Sequence, residues 1–398
     1  MQKSKKIYLY FFIFITIFLE WGYVTVVSNF IPGFLRLSLL LVFILPLLFY
    51  QETHIYKKKL MLFIYICLFS ILTNFGRSSA IDILVFLYPI FIGLLFSMAV
   101  TPKQFIIIFS DVIFALSVFS LISYFIALFF PSILSLFPTF AGSHGSYLKN
   151  LVFSVVPVNV NMIRNYGIVW EPGAFAVLLN IVLFFQLFCS DVKKTSYFIV
   201  YFIALITTYS TMGYFAFLGI LSSYMILNIK SKFFPIMILI LYILGVLLFN
   251  SDIAMFVDIQ QLVFGKLDGF SMSGDNVQTT QARVDAIIYP AQAFFNSPIV
   301  GIGIKGFQNL NSNVCNGLAT NTIINWFSIG GIMLGIPLLF CYFRTIVSCF
   351  ARSRNIISAI ILCISFAFLV STESLLRISL MYTLIFYSFS KFSYRESL

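Results

Sequence analysis

The chain has 398 residues, 61% of them hydrophobic and 9% charged, with a mean hydropathy of +1.04. Soluble domains average roughly 45–50% apolar and about 25% charged residues, so a water-soluble fold is excluded and the solvent is lipid. The formal charge of +11 does not mark a nucleic-acid binder, because it is divided among short clusters separated by apolar runs, with no continuous basic face.

A membrane-crossing helix needs about 20 mostly apolar residues. In chain order the sequence predicts twelve, at about 7–27, 34–50, 60–75, 81–100, 105–130, 172–189, 197–211, 213–229, 233–250, 318–343, 356–372 and 375–391. The first follows Lys3, Lys5 and Lys6 and continues to Val27 without a small-residue cleavage site, so it reads as a retained helix and not a signal peptide. With the N-terminus inside, the predicted cytoplasmic segments carry a net charge of +13 and the outer segments −1. That asymmetry is the positive-inside pattern, and it places both termini in the cytoplasm. Two segments are too polar to be spans, 131–171 and 251–317, and both fall on the outer face. The expected architecture is therefore an all-α polytopic membrane protein, one integral membrane domain over 1–398 with two large outer loops. Within the second loop, Ala282, Ala286, Ile287, Ala291 and Phe294 recur at helical spacing and predict a helix near 281–296 lying along the membrane surface.

Loops this long between closely spaced helices carry function more often than not. In the first, Pro172 suits the opening turn of a helix, which sets Glu171 at that helix's N-terminus, where a negative charge is favoured. Two readings stay open there. Glu171 is a helix cap, or it is a general base beside Arg164, a phosphate-binding cation seven residues earlier. In the second loop, Gly301, Gly303 and Gly306 match G-x-G-x-x-G. No acid follows until Glu373, so a dinucleotide site is not expected. A flexible re-entry into the next helix and an anion-binding nest beside Lys305 are the alternatives. Arg283 has Asp285 as a possible ion-pair partner. Glu20, Arg36 and Asp111 lie in apolar stretches, where ionisable groups are functional or paired by default. His144 and His54 fall on opposite sides, and no Cys-x-x-Cys or Asp-x-Asp spacing occurs, so neither metal nor disulfide is expected.

Over roughly residues 160–345 the order of these motifs resembles the O-antigen and capsule polymerase (Wzy-type) superfamily, which includes the O-antigen ligases. Arg164-x-x-Gly167 with Glu171-Pro172-Gly173 is similar to that family's Arg-x-x-Gly…Glu-Pro element. Thr208-x-Ser210-Thr211-x-Gly213 is similar to its Ser-containing turn, although the Arg that usually follows is missing. Arg283, then Pro298-x-x-Gly301-x-Gly303, resembles the large outer loop, and Asn321 stands where the family has His-Asn, with Thr320 replacing the histidine. The resemblance implies a GT-C-like membrane glycosyltransferase of the bacterial cytoplasmic membrane. It would polymerise undecaprenyl-diphosphate-linked repeat units, moving the growing glycan en bloc to a new lipid-linked unit. Donor and acceptor glycolipids are the implied partners, with membrane lipid and a chain-length regulator protein. The donor is already activated, so no cofactor is implied. Arg164 and Arg283 would stabilise the leaving diphosphate and Glu171 would be the base. Tyr166, Trp170, Gly301, Gly303, Lys305 and Asn321 would contact substrate. Ligases lean on the histidine that is absent here, which favours polymerase over ligase. A polysaccharide flippase is the competing class.

Overall fold

The computed structural model describes residues 3–26, 31–49, 57–141, 147–158, 163–189, 194–228, 277–315, 320–350, 355–371 and 373–390. The predicted ninth span (233–250), the 251–276 part of the second loop and His54 and His144 lie outside them, as does the side chain of Arg283.

The described chain is mostly helical. The first stretch holds α1 (Lys3–Trp21), α2 (Tyr23–Val26), α3 (Gly33–Phe49), α4 (Lys57–Asn74), α5 (Ala80–Ala99) and α6 (Pro102–Phe129). After the 131–171 segment come α7 (Pro172–Phe188), α8 (Thr195–Thr207) and α9 (Thr211–Asn228). The last part holds α10 (Val277–Asn296), α11 (Gly303–Asn313), α12 (Thr322–Phe350), α13 (Ile356–Ser371) and α14 (Ser379–Tyr387). Three stretches are long and apolar enough to cross a bilayer by length and composition, namely Ala80–Ala99, Pro102–Phe129 and Thr322–Cys349. Their lengths, and side chains such as Leu72, Phe75, Ile81 and Ile357 left exposed, are compatible with a helical membrane protein, since such contiguous apolar surface is unstable in water.

Local chemistry sets the boundaries. Two capping boxes open α5 and α6. The Ser79 hydroxyl accepts from the Asp82 N–H while Asp82 accepts from the Ser79 N–H, and Thr101 and Gln104 repeat the arrangement with Pro102 at the first helical position. Helix–helix contacts use small residues. Ser223 and Ser358 exchange hydroxyl-to-carbonyl bonds of 2.8 and 2.9 Å between α9 and α13, and a Cβ on Gly219 would stand 2.0 Å from the Ser365 hydroxyl. In an apolar environment close backbone approach and such polar pairs hold helices together.

The structure departs from the sequence reading in the unanticipated helix α11 within the second outer loop and in four further places. First, the chain is not purely helical. A 3-10 turn (Pro131–Leu136) leads into an antiparallel sheet, β1 (Thr139–Ala141), β2 (Tyr147–Asn150) and β3 (Val155–Val158), in the order β1-β2-β3. Valines at 155, 156 and 158 favour a strand, and Pro157 is tolerated because β3 is an edge. Second, the division between the seventh and eighth predicted spans falls at Thr208–Ser210, three residues earlier than expected, and α9 starts at Thr211. Third, the last helix is short. Thr322 Oγ1 accepts the Leu375 N–H at 2.8 Å, which holds 375–378 out of a helix. The nine residues of α14 reach only about 13 Å. Fourth, α12 is broken at Gly331 (φ 59°, ψ −157°). Into the break fits the 298–302 segment. Ile332 donates to the Pro298 carbonyl (2.8 Å) and Ile302 to the Ser328 carbonyl (2.9 Å).

Candidate functional site

The first-loop motif and the turn between α8 and α9 meet where segment 163–171 is pinned from three sides. Asn165 is the main pin. Its amide nitrogen donates to Ser120 Oγ (3.1 Å) on α6 and Thr207 Oγ1 (2.9 Å) on α8, its carbonyl oxygen accepts the Gly167 N–H, and its backbone N–H reaches the Thr207 carbonyl. A buried amide with this many partners fixes its neighbours firmly. Gly167 then turns with φ +57°, and a Cβ there would stand 2.8 Å from the Phe175 ring, so only glycine fits both the conformation and the space. On the far side Tyr23 donates to the Ile168 carbonyl at 2.9 Å, Gly22 bridges to Val169 and Trp21 stacks on Trp170 at 5.3 Å.

Arg164, half-buried, points into the turn between α8 and α9. Its Nε donates to the Thr208 carbonyl and its Nη2 to the Tyr209 carbonyl, both at 3.1 Å. Tyr209 presents that carbonyl from a left-handed backbone (φ +49°), a conformation that costs a non-glycine residue about 1–3 kcal/mol and clusters at functional sites. The Arg-x-x-Gly and Thr-x-Ser-Thr-x-Gly motifs, over 40 residues apart in sequence, are thus one unit. Gly213 closes it, packing so near Ala176 of α7 that a Cβ would stand 2.7 Å away. The phenol of Tyr166 is raised above its ordinary value by burial, with the Arg164 cation pulling it down and the Glu171 carboxylate pushing it up.

Glu171 occupies the N-cap position of α7, but its side chain makes no capping hydrogen bond. Of the two readings left open by the sequence, the capping bond is not made. Near the same helix end lies Glu373, from the connection between α13 and α14. It is 3% exposed. Its Oε1 lies 2.5 Å from where a Cβ on Gly173 would be, and its Oε2 accepts the Trp170 indole N–H at 3.2 Å. The Glu373 carbonyl accepts the Thr322 hydroxyl at 2.6 Å, which ties the head of α12 to the same corner. The first turn of α7, an end with partial positive charge, thus has the Glu373 carboxylate beside Gly173.

The remaining predicted residues are distributed differently. Asn321 is buried at the start of α12, where its Oδ1 caps the Ile324 N–H at 3.0 Å. Gly301 and Gly303 adopt φ +70° and +79° where the 298–303 segment meets Ile329 and Asn74. The N–H groups of Ile304 and Lys305 donate to Asn74 Oδ1 (2.7 Å) and Ser78 Oγ (3.1 Å), so the chain's own side chains occupy the head of α11; the Lys305 side chain is exposed. Arg283 lies in α10, which packs on α12 through Phe294 and Phe327. The structure brings Arg164, Tyr166, Trp170 and Glu171 together; Gly301, Gly303 and Lys305 form a second group with Asn74 and Ser78. Sequence reasoning missed Glu373 and Asn165. Glu373 had one available signal, a single acid between two apolar runs.

No protein-family model matches this chain, and no curated protein matches it in sequence.

Proposed function

We propose that the protein is a lipid-linked-oligosaccharide glycosyltransferase of the bacterial cytoplasmic membrane that polymerises undecaprenyl-diphosphate-linked repeat units on the outer face. The observation that carries this reading is the union of Arg164 with the 208–210 turn, with Arg164 and a glutamate that makes no capping bond both acting on Tyr166. In the proposed reaction a hydroxyl of the acceptor sugar attacks the anomeric carbon of the donor glycan. The bond from that carbon to the diphosphate oxygen breaks, the diphosphate departs with the electron pair, and Glu171 takes the hydroxyl proton. Arg164 supplies positive charge where negative charge develops, and Arg283 has the same role by resemblance. Tyr166 and Trp170 offer aromatic faces to sugar rings.

The full proposal includes twelve spans with both termini cytoplasmic and the 131–171 and 251–317 loops outside. Purified protein in nanodiscs, given only lipid-linked repeat units and a chelator, is expected to yield a ladder of glycans differing by one repeat. Glu171→Gln should slow the ladder at least ~100-fold, the low end for losing a general base. A ligase would instead need a different acceptor. The broken helix α12 favours a second reading, a flippase, because transporters interrupt helices around their substrate sites. Such folds interrupt corresponding helices in both halves, and among the described residues α12 alone combines two helical parts across a non-helical glycine. Movement of lipid-linked sugar across vesicles without any ladder would replace the polymerase reading with that one.

A further inference from the structure

The indole of Trp170 is held by two side chains from distant parts of the chain. It stacks on Trp21, with ring centroids 5.3 Å apart and planes 23° from parallel. Trp21 is buried, and the residues after it are tied to the same segment by the Gly22–Val169 bridge and the Tyr23 N–H on the Ile168 carbonyl. The Trp170 N–H donates to Glu373 Oε2 at 3.2 Å, across 203 positions of sequence. Glu373 is 3% exposed. Its carbonyl accepts the Thr322 hydroxyl at 2.6 Å, and Thr322 Oγ1 takes the Leu375 N–H at 2.8 Å. Stacking sets the plane of the ring, and the N–H bond sets its rotation within that plane.

We propose that the partly exposed ring of Trp170 is a sugar-stacking platform, and that Trp21 and Glu373 are its positioning residues. The inference deepens the glycosyltransferase reading and rests on it. Trp170 and Tyr166 are both partly exposed and rest together on the small buried cluster of Tyr23, Leu148 and Val155. The sheet supplies two of those three residues, and it is docked there by the Val155 N–H on the Gly167 carbonyl at 2.7 Å. The platform is thus an aromatic surface built by the first outer loop, with Arg164 and Glu171 in the same segment. A sugar ring packs its C–H face on an aromatic ring and turns its hydroxyls toward such polar neighbours. A ring fixed beforehand loses little freedom when it binds.

The competing role for a tryptophan in such a protein is a membrane-interface anchor. An anchoring tryptophan buries its ring in the apolar layer and keeps its N–H at the wet boundary. Trp170 does the reverse, with its N–H on a buried carboxylate and part of its ring exposed. The glycine at 173 fits the same arrangement, because a Cβ there would stand 2.5 Å from Glu373 Oε1 and push the carboxylate away.

The test compares two probes on the detergent-solubilised full chain by calorimetry: undecaprenyl diphosphate, and the same lipid carrying the repeat unit. The parent protein should bind the glycosylated lipid about tenfold more tightly, the size of one good aromatic contact. Only that lipid should shift the tryptophan emission, and Trp170→Phe should abolish the shift. Glu373→Leu should remove most of the tenfold preference and leave binding of the bare lipid unchanged, while Glu373→Gln, which keeps an acceptor oxygen, should retain it. In turnover Glu373→Leu should raise KM for the lipid-linked unit with kcat little changed. In Trp170→Phe, which has no N–H to hold, Glu373→Leu should have no further effect on the preference. Should Glu373→Leu fail to accumulate, Gly173→Ala displaces the same carboxylate and carries the comparison. A preference that survives both variants, or that falls equally in the Trp170→Phe background, overturns the proposal. A glycan ladder beside an unaltered preference overturns this inference alone; the full binding pattern without a ladder overturns polymerisation and leaves the platform standing.

Discussion

Glu20 and Asp111 are ionisable groups in apolar helices, and their partners are now specific. Glu20 Oε2 accepts the N–H of Ser379 at 2.9 Å, the first residue of α14, so α1 supplies an acceptor for one of the N–H groups that a helix leaves open at its N-terminus. Glu20→Ala leaves that buried N–H unpaired. It should destabilise the protein by about 1–3 kcal/mol, the range for leaving a buried donor unsatisfied. Glu20→Gln, which retains an acceptor oxygen, should cost less, and thermal unfolding in detergent orders the two. Asp111 accepts from Tyr10 (2.5 Å) and Tyr197 (2.9 Å) and lies 3.6 Å from Lys194, a bonded cluster and not a snorkelling side chain. Arg164 is a different case, because it pairs with backbone carbonyls through two nitrogens of one plane. Lysine cannot reproduce that fork. Arg164→Lys should accumulate normally but lose most transferase activity, and near-normal activity would reduce Arg164 to a simple point charge.

Between α10 and α12 the glycines follow a steric logic that separates two kinds of left-handed residue. A Cβ on Gly331 (φ +59°) would stand 2.3 Å from the Ile299 carbonyl oxygen, and one on Gly301 (φ +70°) 2.4 Å from the Ile329 carbonyl oxygen. These two elements approach backbone to backbone, so neither clash can be relieved by rotating a side chain. Gly76 (φ +72°) has nothing within 4 Å. Gly76→Ala should therefore cost only the conformational penalty, about 1–2 kcal/mol, while Gly331→Ala should cost distinctly more and release the 298–302 segment from the break. Limited proteolysis near Ser297 together with unfolding midpoints would check this; equal effects of the two substitutions would remove the argument. The interrupted backbone of α12 is tolerated because the 298–302 segment supplies the missing hydrogen-bond partners, the condition for non-helical backbone within an apolar surrounding.

At the scale of the whole molecule, the charge partition makes a topological prediction. Cysteines at Tyr147→Cys and Lys305→Cys, both at exposed positions, should react with an impermeant thiol reagent added to intact spheroplasts. Lys58→Cys, exposed at the start of α4, should react only after permeabilisation. The opposite pattern would invert the protein and put the candidate site in the cytoplasm.

Composition alone pointed to lipid as the solvent, and apolar run length located the described helices outside the second outer loop, because both depend on sums over many residues; in that loop α10 was read from helical spacing and α11 was not anticipated. Tight local signals were equally legible. Pro172 after Glu171 marked the start of α7, whereas the Ser79–Asp82 and Thr101–Gln104 pairs, whose side chains bond their own backbone, emerged as caps of α5 and α6 only in the structure. What the sequence left open was which group would satisfy each helix end when several could. Glu171 stands at the N-cap and does not cap, while Glu373, 202 residues away, takes the Trp170 indole N–H and lies against Gly173. The Gly301–Gly306 run has the spacing of an anion nest, yet Asn74 and Ser78 fill the head of α11. Only the tertiary structure decides such cases, because the competing partners differ in spatial proximity and not in chemistry, and proximity between distant segments is set by the packing of the whole bundle.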